Sequence, residues 1–286
     1  MILITGASGQ MGGVVIRQLL TRIPAGQIAG LARDAVKAEP LKAQGIDIRI
    51  GDYDDPGSLD KAMRGVDKVL LIAGTDEHKR VGQHQNVVDA AKRAGVQRLA
   101  YTSRDLKNRD ALANKLMIGH FQTEDLIKAS GLNHIIFRNI LYMDFIVGVV
   151  GKNVLETGIQ LSAGAGRVAY ALRDELGEAM AYVLLDGDWN DTTYRFTNSQ
   201  SYSFAEVAAA LSELSGKRIQ YTPIETSAFE ARMTERGAPA FLSQRLSGFL
   251  TDIGNGQEDH VSPDLAHFLG RQPASLEEGL KVLFKL

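Results

Sequence analysis

The chain has no cysteine, one tryptophan, and no run approaching the roughly 18 apolar residues of a membrane-spanning helix. Without cysteine, disulfides, thiolate metal sites and a cysteine nucleophile are excluded. An excess of charge is missing too. With 32 Lys and Arg against 34 Asp and Glu, the formal net charge is −2. That leaves no electrostatic footprint for nucleic acid or an anionic membrane surface. The opening MILITGASGQ lacks a basic region followed by a long apolar stretch, so no signal peptide is expected and the expected location is cytoplasmic. His-Glu-x-x-His and Gly-x-Ser-x-Gly do not occur, and Gly151-Lys152-Asn153 is not a P-loop because Ile146 stands where its first glycine belongs. His78, His84, His134, His260 and His267 show no metal-ligand spacing, so no metal is expected.

What is present is 286 residues, 44% of them hydrophobic, enough for a doubly wound sheet and an appendage. Short apolar runs at 2–4, 28–32, 46–50, 68–72, 98–102 and 134–137 read as strands. Between them lie helical patterns at 11–20, up to 41, 56–63, 81–93 and 115–128, stopped by Gly45, Gly65, Gly95 and Gly131. Strands alternating with helices of this kind make βαβ units and a parallel sheet. The strands read as near-continuous apolar runs, as expected when helices cover both faces. Past Arg138 the rhythm breaks. Beyond it, 194–197 and 219–222 read as strands, and Ser203 caps a helix over 204–214. The expected fold class is α/β, a Rossmann-type doubly wound parallel sheet with a smaller C-terminal α/β lobe. The dinucleotide-binding domain spans 1–138 with a returning segment near 170–215, and the smaller substrate lobe spans 139–286.

The chemistry starts at Thr5-Gly6-Ala7-Ser8-Gly9-Gln10-Met11-Gly12. Gly6-x-x-Gly9-x-x-Gly12 follows the first strand and opens the first helix. Pyrophosphate needs a close backbone with N–H groups to donate and favours the positive end of a helix. Gly6, Ser8, Gly9, Gln10, Met11 and Gly12 are therefore candidate cofactor residues, and a Gly-rich turn without a ligand is the plain alternative. Leu31-Ala32-Arg33-Asp34 ends the second strand. Arg33 can fork onto a 2′-phosphate, which favours NADP(H), while Asp34 can take a ribose hydroxyl. A solvated loop charge is the alternative for Arg33. Asp52 and Tyr53 follow the third strand, as an adenine acceptor and a packing ring, with Asp52 as a helix cap the competing reading. Ala73 and Gly74 follow the fourth strand, Thr102 and Ser103 end the fifth, and Asn139 and Tyr142 follow the sixth. Carboxyl ends of parallel strands are where such folds bind ligands. Tyr142 can stack on a flat substrate or simply pack. Phe145 and Ile146 read as core or pocket wall, and Gly164-Ala165-Gly166 as a mobile loop or a turn.

TGASGQMG, LARD, GDYD, YTS, Phe137-Arg138-Asn139-Ile140-Leu141-Tyr142 and the later SFAEVAAALSELSGKRI occur in this order. The set resembles the NmrA-like group of atypical short-chain dehydrogenases/reductases, over essentially the whole chain. The resemblance implies a Rossmann domain with a small C-terminal lobe, NADPH as cofactor, and a substrate in the cleft between lobes. It implies an oxidoreductase that passes a hydride to a quinone or similar flat conjugated acceptor. A catalytically silent NADP(H) redox sensor is the alternative that the same resemblance offers. No tyrosine has a lysine four positions on, so the Tyr-x-x-x-Lys pair of the wider group is absent. Where many NmrA-like relatives carry a lysine, this chain has His120, followed by Glu124. With an ordinary pKa of about 6.5, His120 is a candidate proton donor; its alternative is a surface partner of Glu124. The partner expected is a small quinone- or dye-like molecule, with no nucleic acid and no membrane, and a homodimer stays open.

Overall fold

The computed structural model describes residues 1–151 and 153–286, so Lys152 lies outside the described residues. The chain starts with β1 (Ile2–Ile4), α1 (Gln10–Leu20), β2 (Ile28–Ala32), α2 (Ala35–Lys42), β3 (Asp47–Ile50), α3 (Pro56–Ala62), β4 (Lys68–Leu71), α4 (Arg80–Arg93), β5 (Arg98–Arg104), α5 (Ile118–Ala129) and β6 (Asn133–Asn139). It then runs through α6 (Asp144–Val150), α7 (Val154–Thr157), β7 (Ile159–Leu161) and β8 (Arg167–Val168). Helix α8 (Arg173–Asp186) and β9 (Thr192–Phe196) come next. The remainder is β10 (Tyr202–Ser203), α9 (Phe204–Ser215), β11 (Tyr221–Pro223), α10 (Thr226–Glu235), α11 (Ala240–Gly254), α12 (Asp264–Leu269) and α13 (Leu276–Phe284).

The chain divides into two compact units. The first is Met1–Arg104, Leu116–Asn139 and Arg173–Arg195; the second is Asp105–Lys115, Ile140–Leu172 and Phe196–Leu286. The main sheet has the order β3-β2-β1-β4-β5-β6-β9. Neighbours from β3 to β6 pair in parallel, Ile2 lying opposite both Ile28 and Lys68. After β1 the chain builds outward on one side through β2 and β3, then crosses to β4 on the other. This is the doubly wound order, and its switch point lies between β1 and β4.

Burial explains why these apolar runs became strands. Leu3, Val69, Leu71, Leu99 and Tyr101 share a core with Leu59 of α3, Val87 and Val88 of α4 and Ile127 of α5. The alternate residues Ile4, Leu70 and Ala100 are equally buried, so both faces are covered. Strand β3 departs from the continuous apolar reading. As an edge strand it exposes Asp47 and Ile50 and half-buries Ile48 and Arg49. Helix α8 was not legible in the sequence. Its interior Gly177 weakens the helical pattern, yet an added Cβ there would lie 2.3 Å from Val14 Cγ1 of α1. The glycine is what lets α1 and α8 pack closely.

In the second unit β7 pairs with β11 in parallel and β8 with β10 antiparallel. Ser203 caps α9 in a capping box with Glu206, as its sequence suggested. The excursion 105–115 is held by the 252–260 stretch. Asp252 accepts the N–H groups of Ala113 (2.6 Å) and Asn114 (3.1 Å), and Gln257 accepts those of Lys107 and Asn108. His260 Nε2 lies 2.6 Å from Asp105 Oδ2.

Candidate functional site

The loop after β1 is built by close approach. Gly6 has φ +57°, a left-handed conformation that favours glycine. A Cβ on Gly12 would lie 2.4 Å from the Gly6 carbonyl oxygen and 2.9 Å from Ala7 Cα. Ala7 is tied to β2 by its N–H on the Leu31 carbonyl at 3.0 Å, and the Gly9 N–H closes the turn on Gly6 at 2.9 Å. Gly9 caps α1 without any side-chain hydrogen bond, and the first turn carries no acid. The first N–H groups of α1 therefore meet no protein acceptor among the described residues, beneath exposed Ser8, Gly9 and Gln10. That arrangement fits an anion at the helix N-terminus. Met11 and Gly12 are buried below it, and Gln10 is braced by a hydrogen bond from Arg173 of α8.

Arg33 is exposed and makes no hydrogen bond or ion pair among the described residues. Asp34 serves the next helix through one carboxylate oxygen, Oδ1. Its carboxylate caps α2 by accepting from Val36 and Lys37 N–H at 2.9 and 3.2 Å. The cap of α3 is Asp55 rather than Asp52, whose Oδ1 accepts from Asp54 N–H at 2.9 Å. Tyr53 is built into the switch point. Its hydroxyl hydrogen-bonds Thr5 Oγ1 and donates to the Ile72 carbonyl at 3.0 Å, while Ile72 N–H donates to Thr5 Oγ1 at 2.9 Å. Burial raises its phenol pKa against the pull of nearby Arg33. The sequence offered no signal for Thr5, because a threonine after a strand is unremarkable until its partners are seen.

The ends of β4, β5 and β6 turn their polar groups inward. Ala73 N–H donates to Thr102 Oγ1 at 2.9 Å, and Gly74 N–H donates to His84 Nε2 at 2.9 Å. Thr102, Ser103 and Asn139 are 4%, 2% and 0% exposed. Ser103 donates to Glu124 Oε1 at 2.6 Å, and Arg138 forks onto both Glu124 oxygens at 3.0 and 2.6 Å. Glu124 is thus a buried clamp joining α5, β5 and β6, not a surface partner of His120. Among the described residues the Asn139 side chain reaches only Met180 Sδ at 4.0 Å, and its Oδ1 has no partner.

Beside this clamp sits a buried column whose members the sequence showed singly, without the bonds that join them. Because Gly74 N–H donates to His84 Nε2, that nitrogen carries no proton. His84 then holds its proton on Nδ1, 2.9 Å from Thr123 Oγ1, whose hydroxyl donates to the Gly119 carbonyl at 2.8 Å. Burial, reinforced by Arg80, lowers the His84 pKa to about 3. Tyr101, fully buried, places its hydroxyl 2.8 Å from His120 Nδ1. His120 is 5% exposed, and burial with Arg80, Arg104 and His84 pushes its pKa well below the ordinary value. The expectation of a histidine titrating near neutrality is corrected, because its charged form would lose hydration without gaining a carboxylate partner.

The remaining candidates lie in the second unit. Tyr142 is half-buried and bridges Ala171; Phe145 packs on Phe249 at 5.9 Å, and Ile146 is core. Gly164-Ala165-Gly166 is a fixed turn. Tyr221 donates to the Gly164 carbonyl at 2.8 Å, and a Cβ on Gly166 would meet Ile253 O at 2.2 Å. Among the described residues no group of three acidic or histidine side chains could hold a metal, and no helix is long and apolar enough to cross a membrane.

Comparison with known proteins agrees with this layout. Quinone oxidoreductase 2 of Escherichia coli is 33% identical, the alignment covering 100% of this chain and 99% of that protein. The crystal structure of the NADPH-dependent quinone oxidoreductase of Escherichia coli with NADPH superposes with a TM-score of 0.94, over 99% of this chain and 100% of that one. Triphenylmethane reductase of Citrobacter sp. with NADP(H) is 35% identical and superposes with a TM-score of 0.93, over the same shares. The NmrA-like family model matches residues 1–260. With a family match over nine-tenths of its length and a doubly wound sheet whose first turn is open to an anion, the chain belongs to the NmrA-like family.

Proposed function

We propose that this protein is an NADPH-dependent reductase that passes a hydride to a quinone or similar flat conjugated acceptor. The observation that carries the reading is the open N-terminus of α1 over the close-packed Gly6–Gly12 turn, with Arg33 exposed and unpaired among the described residues at the end of the next strand. Gly6, Ser8, Gly9, Gln10, Met11 and Gly12 are assigned to the pyrophosphate, and Arg33 to the 2′-phosphate. Asp52 and Tyr53 are assigned to the adenosine side, and Ala73 and Gly74 to the path of the cofactor across the sheet. Thr102, Ser103 and Asn139 shape the floor through buried bonds. Bound NADPH supplies the hydride; the protein's own part is to hold and orient the reacting pair and keep water out. A quinone needs no strong acid, because the arriving charge rests on an oxygen as a comparatively stable anion, so the missing Tyr-x-x-x-Lys pair fits this chemistry. A cytoplasmic location suits a reaction that draws on the reduced dinucleotide pool.

The test is anaerobic oxidation of NADPH with a panel of quinones and triphenylmethane dyes. Turnover with at least one acceptor is expected. Tight NADPH binding with no turnover of any acceptor would leave a dinucleotide sensor instead.

A further inference from the structure

We propose that Tyr101 is a positioning residue that locks His120 as a neutral Nε2–H donor, so that His120 serves the acceptor's oxygen by hydrogen bonding and not by giving up a proton. The proposal rests on the reductase reading for its role and on geometry for its existence. Tyr101 and His120 share one hydrogen bond of 2.8 Å, between the phenol oxygen and Nδ1. Both side chains are buried, so a single shared proton must be placed on one of them. Thr123 Oγ1, which donates to Gly119 and faces His84 Nδ1–H, also interacts with the Tyr101 hydroxyl, but an alcohol oxygen is a weaker acceptor than an imidazole nitrogen. A phenol is the stronger acid and an imidazole nitrogen the stronger base, so the O–H of Tyr101 donates to Nδ1. Neutral His120 then carries its own proton on Nε2, which has no partner among the described residues.

The surroundings keep the ring neutral. From α4 it faces Arg80 and His84, and from β5 Tyr101 and Arg104. Its own helix carries Glu124, Asp125 and Lys128, and the Glu124 carboxylate is taken by Arg138, Ser103 and Lys128. Burial first, and then the two cations, disfavour an imidazolium. Nor can Tyr101 refill a proton lost from Nε2, since that would leave a phenolate in a site where burial raises the phenol's pKa. The balance therefore closes without His120. A quinone takes two electrons and one proton as hydride, and the second proton comes from water.

The test combines long-range proton–nitrogen correlation NMR on histidine-labelled protein with kinetics of Tyr101→Phe, which keeps the ring and loses the hydroxyl. In the wild type, His120 is expected as the Nε2–H tautomer, unchanged from pH 5.5 to 8. In Tyr101→Phe it should populate both tautomers, with quinone kcat lowered about tenfold or less and the KM for NADPH unchanged. A general acid would instead cost about 10²–10⁴-fold. His120→Gln, which can offer an amide N–H near the Nε2 position, should retain more activity than His120→Ala. An Nδ1–H tautomer in the wild type overturns the proposal, as does a tautomer indifferent to Tyr101→Phe. A kcat limb near pH 6.5 that disappears in His120→Ala would make His120 a proton donor and overturn it as well. Failure of the wild type to oxidise NADPH with any acceptor removes the reductase reading and, with it, the role of His120 towards an acceptor. Normal wild-type turnover with either contrary tautomer removes this proposal alone.

Discussion

Arg33 and His84 are opposite cases of a basic side chain meeting its surroundings. Arg33 stands in solvent and pairs with nothing among the described residues, which suits the 2′-phosphate role proposed for it. Arg33→Ala should weaken NADPH binding by about 1.5–3 kcal/mol, the usual worth of a charge-assisted contact, and leave NADH nearly unchanged. Equal losses for both cofactors by calorimetry would show that Arg33 does not read the phosphate. His84 is sealed away, its pKa lowered from 6.5 to about 3. Below about pH 6.5 the unfolded chain binds a proton here that the folded protein refuses until about pH 3. The unfolded state binds more protons across that window, so stability rises with pH through it. The contribution is complete above pH 6.5 and drains away as pH falls towards 3; His120 acts in the same direction. Urea midpoints should therefore drop between pH 6.5 and 5, and His84→Asn should flatten that slope while lowering the plateau. Parallel slopes in the two proteins would contradict the assignment. None of this was visible in sequence, where His84 is one more histidine on a helix. Its role depends on Gly74 and Thr123, ten and thirty-nine positions away.

At the scale of elements, the strand–turn–helix at residues 2–20 was legible because its requirements are local. A glycine turn, a preceding apolar run and a following helical pattern are all written within twenty residues. Its two glycines should nonetheless respond differently. A Cβ at Gly9 would sit 3.1 Å from Gly6 O, tight but tolerable, whereas at Gly12 it would sit at 2.4 Å. Gly9→Val should keep native circular dichroism and lose NADPH, because the branched side chain covers the open N–H groups. Gly12→Ala should lose thermal stability as well. Normal NADPH affinity in a folded Gly9→Val would refute the phosphate-loop assignment. Excursion 105–115 is the opposite case, fastened by residues some 140 positions later. Asp252→Ala frees two N–H groups, one of them on buried Asn114. It should cost about 1–3 kcal/mol and open 105–115 to limited proteolysis, while uniform resistance would show the carboxylate to be dispensable. Helix α8 escaped the sequence reading for a related reason. Gly177 looks like a helix breaker in one dimension and proves to be the contact point with Val14 in three.

For the whole molecule, ligand binding and stability are linked. NADPH at a hundred times its dissociation constant should add about 2.7 kcal/mol to the unfolding free energy, raising the melting temperature by several degrees. The gain from NADPH should exceed that from NADH at equal concentration in the wild type, and Arg33→Ala should abolish the difference. No shift with NADPH would remove the cofactor assignment. The sequence alone determined the fold class and the position of the glycine-rich turn, since period, punctuation and a glycine motif act over short distances and leave their pattern in the order of residues. It also pointed to Arg33, because the end of the second strand follows from counting elements. Only tertiary structure decided the protonation and partners of the polar residues. Ser103 turned inward to Glu124, Asp34 became a helix cap, and His120 lost its neutral-pH titration. Those outcomes depend on desolvation and on which distant group arrives within hydrogen-bond reach. Neither quantity exists until the chain has folded.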